Sequence, residues 1–539
     1  MLIHYYLDNK KMKTSVSNAD MEVISSHHHS RHVVKIKANK DITLIKGEHK
    51  IGFYVNYKDR YFLNGYQSWT DSHEYYLYKR LRNIKKSPHI ITHMYAMDKY
   101  GDSTFYRYSI KKSHGYDIFY SKGKFESFLY SLNYQTAYLI IELIKDQRCL
   151  HLVSDVKGIE LKKGEEITVF DYRFFNSYEE GLEEFKEDFP LLNKEKIFGY
   201  TSWYNYYQNI NEEIILRDLE ALDSRFNVFQ IDDGYETYVG DWLDVDKNKF
   251  PNGLEGIVSK IKQKGLKPGI WLAPFAVESK SNTFLKHQDW LVKDENGKPI
   301  KTGGNWSGFY SLDIYNIEAR NYIKKCLEHY MDLGFEFFKL DFLYASALVP
   351  VKGKSRCQVQ REAYQLLRDI LKDKLILGCG ANIINSYQLF DYLRIGPDVS
   401  LKFDDTAFMK MFHRERISTK VTIQNTIYRH IFDQHLFGND PDVFLLRDEN
   451  IQLSNKQKYA LTKINALFGS VLMTSDDIAT YDQKKKEILE EALHLFKNAK
   501  VISADRLHGT KKYKIEIIYE IDGKIHKMIY NSKKGELHE

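Results

Sequence analysis

The chain has 539 residues, a length that predicts more than one domain at about 100–200 residues per domain. Its 43% hydrophobic and 28% charged residues are typical of a globular protein and exclude a disordered, collagen-like or coiled-coil chain. The net charge of +6 is too small for this length to indicate a dedicated nucleic-acid or anionic-membrane binder.

Cysteines and apolar segments indicate the compartment. The 4 cysteines are too few for a disulfide framework, and no two of them have C-x-x-C spacing. The first residues lack the apolar stretch of a secretory signal, and no window approaches the roughly 18 uninterrupted apolar residues of a membrane span. We therefore expect a soluble cytoplasmic protein.

The first third of the chain predicts β-structure. Short segments rich in Val, Ile, Tyr and Phe alternate there with turn residues, and many short strands without helical periodicity predict an antiparallel β-sandwich. The predicted strands are His32–Lys37, Lys50–Tyr57, Thr104–Lys111, Tyr138–Lys145 and Glu166–Phe175. A helical stretch over Tyr178–Phe189, closed by Pro190, marks the end of this region.

From about residue 197, short apolar runs alternate with helical patterns, as buried parallel strands and their helices do. The runs are Phe198–Trp203, Val228–Asp233, Gly269–Pro274, Phe335–Asp341, Leu375–Gly380, Tyr392–Asp398, His435–Asp440 and Ser470–Asp476. Eight such repeats predict a (β/α)8 barrel. The long gap after the third run predicts an elaborated loop, and the short gap after the fifth leaves room for a short helix or none.

The end of the chain predicts a small β domain. Lys514–Ile521 and Lys524–Asn531 flank Asp522-Gly523, a strong two-residue hairpin signal, and an amphipathic helix around Glu487–Asn498 precedes them. The predicted fold class is therefore α/β. The predicted domains are a β-sandwich at residues 1–190, a (β/α)8 TIM barrel at residues 191–498 and a C-terminal β-sheet domain at residues 499–539.

Residues at the carboxyl ends of the strands line the active site of such a barrel. Carboxylates and tryptophans dominate these positions, and histidine is absent from them, which argues against a metal-dependent hydrolase. The acidic loops after the seventh and eighth strands argue against a phosphate site. A sugar site needs carboxylates to bond hydroxyls and aromatic rings to stack on the apolar sugar face. The residues at the strand ends are Trp203, Asp232, Asp233, Trp271, Lys339, Asp341, Cys379, Arg394, Asp398, Asp440 and Asp476.

Two of these carboxylates are candidates for catalysis. Lys339 and Asp341 point to the same face of their strand, and a nearby ammonium group favours the ionised carboxylate that a nucleophile must be. Asp398 follows the stiff Pro397, and repulsion from Asp341 across the pocket is expected to help it keep its proton as an acid. The structural alternatives are a buried ion pair for Lys339 and Asp341, and a helix cap for Asp398. Paired carboxylates on facing strands are the minimal apparatus of a glycosidase.

Other strand-end residues have both a functional and a structural interpretation. Asp232 and Asp233 place like charges side by side, which is costly unless each has donors such as sugar hydroxyls; a turn or helix cap is the alternative. Trp271 is a stacking platform or a core residue. Cys379 shapes the pocket wall or is an inert buried thiol.

In this order, these residues resemble glycoside hydrolase family 36, the α-galactosidases and their relatives. The resemblance covers nearly the whole chain. The motifs that carry it are Gly65-Tyr-Gln-Ser-Trp69, Gly199-Tyr-Thr-Ser-Trp203-Tyr204, Gln230-Ile-Asp232-Asp233-Gly234-Tyr235, Gly240-Asp241-Trp242, Lys267-Pro-Gly-Ile-Trp271-Leu-Ala-Pro274, Phe338-Lys339-Leu-Asp341-Phe342, Gly378-Cys379-Gly380, Arg394-Ile-Gly-Pro-Asp398 and Asn439-Asp-Pro-Asp442.

The resemblance implies a retaining double displacement that uses no metal and no cofactor, with Asp341 as nucleophile and Asp398 as acid/base. It also implies a galactose pocket of which the other strand-end residues form the walls. On that pattern Asp232, Asp233 and Lys339 hold the sugar hydroxyls, Arg394 and Cys379 lie near the 2-hydroxyl, and Trp203, Tyr204 and Trp271 wall the pocket.

The expected activity is that of an exo-α-galactosidase on small galacto-oligosaccharides of the melibiose or raffinose type. The alternatives are a galactosyl transferase of the raffinose-synthase kind, an α-N-acetylgalactosaminidase and a non-catalytic carbohydrate-binding protein. Trp290 and Trp306 in the long loop fit a hydrolase or a transferase. Around Cys379 the chain resembles the compact members rather than the larger tetrameric ones, so monomer or homo-oligomer stays open. Whether Trp69 reaches a neighbouring subunit's pocket stays open too.

Overall fold

The computed structural model describes residues 1–79, 96–102, 112–406, 410 and 414–539. The predicted strand Thr104–Lys111 lies outside the described residues. None of the helices within these ranges is long and apolar enough to cross a membrane.

The first part of the chain forms two antiparallel sheets. The strands are β1 (Leu2–Leu7), β2 (Lys10–Thr14), β3 (Met21–His28), β4 (Arg31–Ala38), β5 (Ile42–Gly52), β6 (Arg60–Leu63), β7 (Tyr75–Tyr76), β8 (Lys112–Tyr116), β9 (Ile118–Lys122), β10 (Ser127–Ser131), β11 (Leu139–Ile144), β12 (Cys149–Ser154), β13 (Glu160–Leu161) and β14 (Glu166–Phe175). One sheet has the order β2-β1-β5-β12-β11-β8 with β13 also on β5, and the other has the order β3-β4-β14-β10-β9-β6-β7.

The two sheets pack face to face, as the sequence predicts for a β-sandwich. Along β4 the side chains alternate, so that Val34 and Ile36 are buried while Lys35 and Lys37 are not. One apolar cluster takes side chains from both sheets, with Leu152 on one side and Ile36 on the other. This shared core holds the sandwich together.

One predicted strand has the wrong bounds. Lys50–Tyr57 was expected to be a strand, but β5 ends at Gly52 and the following residues form a loop. Tyr54 and Tyr57 are 75% and 66% exposed, so two aromatic residues typical of strands face the solvent here.

The middle of the chain forms the predicted barrel. Its strands are β15 (Ile197–Thr201), β16 (Val228–Ile231), β17 (Lys267–Leu272), β21 (Phe337–Leu340), β22 (Leu375–Gly378), β23 (Tyr392–Arg394), β24 (Gly438–Asp440), β25 (Val443–Phe444) and β26 (Val471–Thr474). All their pairings are parallel, in the order β24-β23-β22-β21-β17-β16-β15-β26-β25. Because β24 and β25 are two halves of one strand, separated only by Pro441 and Asp442, the sheet closes into a barrel of eight strands within the described residues.

Helices follow most of the barrel strands. Among the described residues the helices are α1 (Met97–Tyr100), α2 (Tyr178–Asp188), α3 (Trp203–Tyr206), α4 (Glu212–Ala221), α5 (Glu255–Gln263), α6 (Asn282–Lys286), α7 (Ile317–Leu333), α8 (Arg356–Leu371), α9 (Thr419–Tyr428), α10 (Asn455–Phe468) and α11 (Gln483–Asn498). The predicted long loop after the third barrel strand folds into a sheet of β18 (Ala276–Glu278), β19 (Lys301–Gly303) and β20 (Phe309–Ser311). Only a short 3-10 turn at Ile384–Ser386 follows the fifth strand, as its spacing predicts.

The chain ends in a four-stranded antiparallel sheet of β27 (Lys500–Arg506), β28 (Lys514–Ile521), β29 (Lys524–Asn531) and β30 (Glu536–His538). The predicted hairpin at Asp522-Gly523 joins β28 and β29, with both residues at positive φ as such a turn requires. The domain boundaries at residues 190 and 498 stay a prediction.

Helix α2 connects the sandwich to the barrel through aromatic rings. Phe185 is fully buried, with its ring 5.3 Å from that of Tyr130 in the sandwich and 6.4 Å from that of Phe432 in the barrel.

Replacing Phe185 with Ala removes its ring from both contacts and should lower the free energy of unfolding by about 3–5 kcal/mol in urea titrations. Leu191→Ala, at a side chain that is 60% exposed, is the control and should change it by less than about 0.5 kcal/mol. Equal effects of the two changes would contradict this account.

Candidate active site

A cavity of about 780 Å³ opens at the carboxyl ends of the barrel strands. Its walls come from the strand ends, the loops after them and one loop of the sandwich. The lining residues are Trp69, Met97, Tyr100, Trp203, Tyr204, Tyr207, Gln208, Asp232, Asp233, Trp271, Asn305, Trp306, Lys339, Asp341, Phe342, Pro397, Asp398, Val399, Ser400, Leu401, Lys402, Asp405, Glu415, Arg416 and Ile417. Of the strand-end residues singled out from the sequence, Cys379, Arg394, Asp440 and Asp476 are buried behind this lining, and the others, together with Tyr204, belong to it.

Asp341 lies directly after β21 and is held at both carboxylate oxygens. The indole Nε1 of Trp271 donates to Oδ2 at 3.1 Å, and the backbone N–H of Phe342 donates to Oδ1 at 2.8 Å. Phe342 has a φ of 53°, a left-handed conformation that a bulky residue rarely adopts. Such strain is maintained by the surrounding structure, and here it accompanies a fixed orientation of the Asp341 carboxylate.

The buried ion pair between Lys339 and Asp341, which was the structural alternative, is not the pairing that Lys339 makes. The Nζ of Lys339 instead contacts the Oδ2 of Asp232 at 2.8 Å. Burial raises the pKa of Asp341 above its usual value, the charge of Lys339 lowers it only in part, and the charge of Asp398 raises it further. Desolvation is therefore the larger influence on the pKa of Asp341, while the charge of Lys339 acts in the direction that the sequence predicts.

Asp232 is the most heavily hydrogen-bonded acid of the cavity. Its Oδ2 accepts hydrogen bonds from Lys339, from Gln230 at 2.6 Å and from Thr201 at 3.1 Å. Its Oδ1 accepts the backbone N–H of Asp233 at 3.0 Å. Burial lowers the pKa of Lys339, but the charge of Asp232 more than reverses this, and the pKa of Lys339 is raised. The protein itself therefore supplies donors to Asp232, in addition to any that a bound sugar would offer.

Asp233 is held by two residues that the sequence did not single out as site residues. The Nε2 of Gln208 donates to Oδ1 at 3.0 Å, and the indole Nε1 of Trp306 donates to Oδ2 at 2.9 Å. Burial raises the pKa of Asp233. Trp306 was noted only as part of the long loop after the third strand; an indole there was the one available signal, whereas Gln208 gave none.

Arg394 joins three carboxylates behind the cavity. Its guanidinium contacts Asp398 at 2.9 Å, Asp440 at 3.0 Å and Asp442 at 2.8 Å. The side chain of Arg394 is 3% exposed, whereas that of Asp398 is 33% exposed, so Asp398 is the member of this group that reaches the cavity. Burial raises the pKa of Asp442 to about 7, although Arg394 acts in the opposite direction.

Aromatic rings form much of the wall. Trp271 packs as a core residue, with its ring 5.7 Å from that of Trp242, and its indole also binds Asp341, a contact that the sequence did not predict. Its use as a stacking platform stays a prediction. Trp203 stands edge-on to Tyr207, with ring centroids 5.1 Å apart. Tyr204 is buried and donates its hydroxyl to Asp442, so it supports the charged group around Arg394 as well as lining the cavity.

Trp69 comes from the sandwich and lines the cavity of its own chain. Its indole Nε1 donates to the Sγ of Cys379 at 3.1 Å, and its ring lies 5.2 Å from that of Phe342. Gly380 has a positive φ of 65°, and a Cβ there would lie 3.0 Å from the indole, so the approach of Trp69 depends on glycine. Burial raises the pKa of Cys379 well above its usual value, which keeps it a thiol beneath the indole.

Two acids on different strands thus face one cavity, with Asp341 buried and Asp398 open to solvent. The surrounding acids are satisfied by protein donors, and indole rings line the walls. Within the described ranges, no group of three or more His, Cys, Asp or Glu side chains is placed to hold a metal ion. This arrangement can bind an uncharged, hydroxyl-rich ring and bring two carboxyl groups to one of its bonds.

Comparison with known proteins finds a similarity to α-galactosidases that is confined in sequence to part of the chain. The family model described as Melibiase matches residues 191–370, which hold Asp232, Asp233 and Asp341. The α-galactosidase of Escherichia coli is 28% identical over 186 residues, or 32% of this chain and 25% of its own length. α-Galactosidase AgaA of Geobacillus stearothermophilus is 30% identical over 121 residues, or 21% of this chain and 16% of its own length. Over residues 191–370 the chain is therefore similar to the Melibiase family.

The likeness in fold to solved α-galactosidases extends over most of the chain. An α-galactosidase structure from Thermus thermophilus, solved with p-nitrophenyl α-D-galactopyranoside, has a TM-score of 0.71 at 22% identity and covers 97% of this chain and 98% of its own. The family 36 enzyme AgaA superposes with a TM-score of 0.62 at 12% identity, covering 93% of this chain and 70% of its own. The fold is thus that of the compact Thermus thermophilus structure. The sequence matches to the curated relatives span a quarter of their length or less.

Breaking the buried pair of Lys339 and Asp232 should destabilise the barrel. Both side chains are at most 6% exposed, so Lys339→Met leaves the Asp232 carboxylate buried without its counter-ion and should cost about 3–5 kcal/mol of unfolding free energy. Adding Asp232→Asn removes that charge, so the double variant should recover part of the loss in denaturant titrations. A double variant less stable than Lys339→Met alone would contradict the assignment.

Proposed function

We propose that the chain is a retaining exo-α-galactosidase that removes terminal α-linked galactose from small galacto-oligosaccharides. The observation that carries the proposal is that Asp341 and Asp398 face one cavity from separate barrel strands in different environments. A retaining glycosidase uses one carboxylate as nucleophile and a second carboxyl group as acid and then base. The fixed, buried Asp341 suits the first function, and the solvent-accessible Asp398 suits the exchange of a proton.

Related proteins support the substrate class. The curated relatives include several α-galactosidases, and the Thermus thermophilus enzyme was solved with p-nitrophenyl α-D-galactopyranoside and with stachyose. In this chain the acids and indoles of the cavity supply hydrogen-bond acceptors and stacking surfaces for a single hexose. The substrate is therefore a neutral oligosaccharide rather than a charged ligand.

The reaction proceeds in two displacements. A carboxylate oxygen of Asp341 attacks the anomeric carbon, the bond to the leaving oxygen breaks, and Asp398 gives that oxygen its proton. Asp398 then removes a proton from water, which attacks the anomeric carbon and releases galactose and the Asp341 carboxylate. Each displacement inverts the anomeric carbon, so the product keeps the α-configuration. For this the carboxyl groups should be about 5–5.5 Å apart with substrate bound.

The predicted substrate residues have distinct functions in this proposal. Asp232 and Asp233 accept hydrogen bonds from galactose hydroxyls, while Lys339 and Trp306 keep these two carboxylates oriented. Trp271 holds Asp341 in position for attack. Trp203 and Tyr204 line the wall, while Arg394 and Cys379 act from behind the lining, near the 2-hydroxyl.

The alternatives differ in what they require of the cavity. An α-N-acetylgalactosaminidase needs additional room at the 2-position, and the contact of Trp69 with Cys379 restricts the cavity on that side. A galactosyl transferase needs the same two acids and a second sugar, so product analysis with an added acceptor distinguishes it from a hydrolase.

We propose a cytoplasmic location, which the four free cysteines support. A single chain is the proposed functional unit, because Trp69 completes its own cavity.

Replacing Asp341 with Asn tests the proposed nucleophile. The amide cannot form the glycosyl ester, so kcat/KM for p-nitrophenyl α-galactoside should fall by about a thousandfold or more, with little change in the unfolding midpoint. Asp373→Asn, at an exposed turn, is the matched control and should keep full activity. Near-normal turnover by Asp341→Asn would rule out this function for the residue, and faster hydrolysis of an α-xyloside or N-acetyl-α-galactosaminide would correct the substrate.

The hydrogen bond from Trp271 predicts a shift in the pH profile. This bond lowers the pKa of Asp341, so Trp271→Phe should raise that pKa. Because the nucleophile must be ionised, the acidic limb of kcat/KM should move to higher pH. Trp242→Phe is the control: its ring packs on Trp271, and its indole makes no bond to Asp341, so stability should fall while the acidic limb stays in place. An unchanged limb in Trp271→Phe would show that the bond does not tune Asp341.

A further inference from the structure

A buried arginine links the sandwich loop that carries Trp69 to the barrel. Arg429 follows α9 and is fully buried. Among the residues that the structure describes, no carboxylate forms an ion pair with it. A buried guanidinium without a counter-ion is costly unless hydrogen bonds satisfy its donors. The hydrogen-bond partners of Arg429 therefore indicate why an arginine occupies this buried position.

Within the part of the chain that the structure describes, the acceptors of Arg429 are all neutral, and most belong to one loop. They are Asn64 Oδ1 at 3.0 Å, Gln67 O at 3.3 Å, Ser68 O at 2.5 Å, Ser72 Oγ at 2.9 Å and Ile395 O at 2.8 Å. The first four lie in the sandwich segment 64–72, on both sides of Trp69. The fifth follows β23 and lies three residues before Asp398. Arg429 thus ties the Trp69 loop to the strand end that carries the proposed acid.

Only an arginine side chain can make this set of contacts. Its planar fork presents five N–H donors in fixed directions, whereas a lysine has three donors on one atom. Burial lowers the pKa of Arg429 to about 9, which leaves the group charged at neutral pH; Arg414 acts in the same direction, while Asp71 and Glu415 oppose it. The Arg429 guanidinium therefore holds the Trp69 loop in one conformation through hydrogen bonds of fixed direction.

A second residue on the same helix face supports the link. Asn425 lies one turn before Arg429 and donates to Thr70 O at 3.0 Å and to Ile395 O at 3.1 Å. Its Oδ1 accepts the backbone N–H of Ser72 at 2.8 Å. Asn425 and Arg429 therefore both bond the loop that carries Trp69, and both bond the same barrel carbonyl, that of Ile395.

The opposite side of the loop is attached to the end of the fifth barrel strand. Ser68 donates its backbone N–H to Ala381 O at 2.9 Å, and its hydroxyl accepts the N–H of Gly380 at 2.8 Å. Trp69 is therefore held between the ends of the fifth and sixth strands. A shift of the loop by a few tenths of an ångström would change its contact with Cys379.

We propose that Arg429 is a positioning residue, which holds Trp69 over Cys379 and so completes the sugar site with a side chain from the sandwich. It touches neither the cavity nor the reacting atoms and acts through the Trp69 loop. Its effect on activity rests on the proposed function, whereas its effect on the loop does not.

The test uses Arg429→Lys in the full chain with two measurements. In the first, kcat/KM for p-nitrophenyl α-galactoside should fall about tenfold or more, mainly through a higher KM, in the wild-type background. In a Trp69→Ala background the same change should cost less than about threefold, because the residue through which it acts is gone. In the second, a small thiol reagent followed by peptide mass analysis should label Cys379 faster in Arg429→Lys than in the wild type.

Arg368→Lys is the matched control. Arg368 also ties backbone carbonyls together, at Leu389, Lys372 and Lys374, but near the amino ends of the fifth and sixth strands. This change should lower stability while leaving KM and Cys379 labelling unchanged. If Arg429→Lys does not fold, Asn64→Ala removes one acceptor from the sandwich side and should also speed labelling.

The outcomes separate the two proposals. Equal costs of Arg429→Lys in both backgrounds, or unchanged labelling of Cys379, would overturn the positioning function. A wild type without activity on α-galactosides, combined with faster labelling of the variant, would overturn the proposed function and leave the positioning function standing.

Discussion

The site depends on how a barrel mouth rich in aspartate balances its negative charge. Carboxylates from several strands meet in a low-dielectric space, where their repulsion would oppose folding. Two cations resolve this repulsion locally: Lys339 pairs with Asp232, and Arg394 pairs with Asp398, Asp440 and Asp442. Asp341 and Asp233 are held by neutral donors instead, Asp341 by an indole and a backbone N–H and Asp233 by an amide and an indole. Positive charge is therefore paired with some acids of the mouth and kept from direct contact with the proposed nucleophile.

The sandwich is part of the site as well as a flanking domain. Its loop brings Trp69 to the cavity, and the barrel receives that loop through Arg429, Asn425 and the backbone beyond the fifth strand. A second link lies elsewhere in the same interface, where Arg356 at the start of α8 pairs with Asp102 and Asp155 of the sandwich region. Because buried polar groups are costly when unpaired, each link favours one docking geometry of the two domains over its neighbours.

Much of the fold was predictable because it follows from periodicity. Buried parallel strands give apolar runs, and their spacing indicates both the barrel and the elaborated loop. Once the strands are located, the rule that their carboxyl ends line the active site predicts that the acids at those ends share one cavity. Periodicity does not report which partner a charged side chain selects, so the pairing of Lys339 with Asp232 was missed. It also does not place loop residues, which is why Gln208 and Glu415 escaped notice and why Arg394 and Cys379 proved to lie behind the lining.

The seventh barrel strand is interrupted at Pro441 and Asp442, with β24 bonded to β23 and β25 bonded to β26. Proline has no N–H to donate, and Asp442 takes a φ of 75°, so the ladder changes partner at this point. The break also places Asp442 where its carboxylate accepts the backbone N–H of Val399 at 2.7 Å and contacts the guanidinium of Arg394 at 2.8 Å. A change of spacing at this break would therefore be transmitted to the segment that carries Asp398.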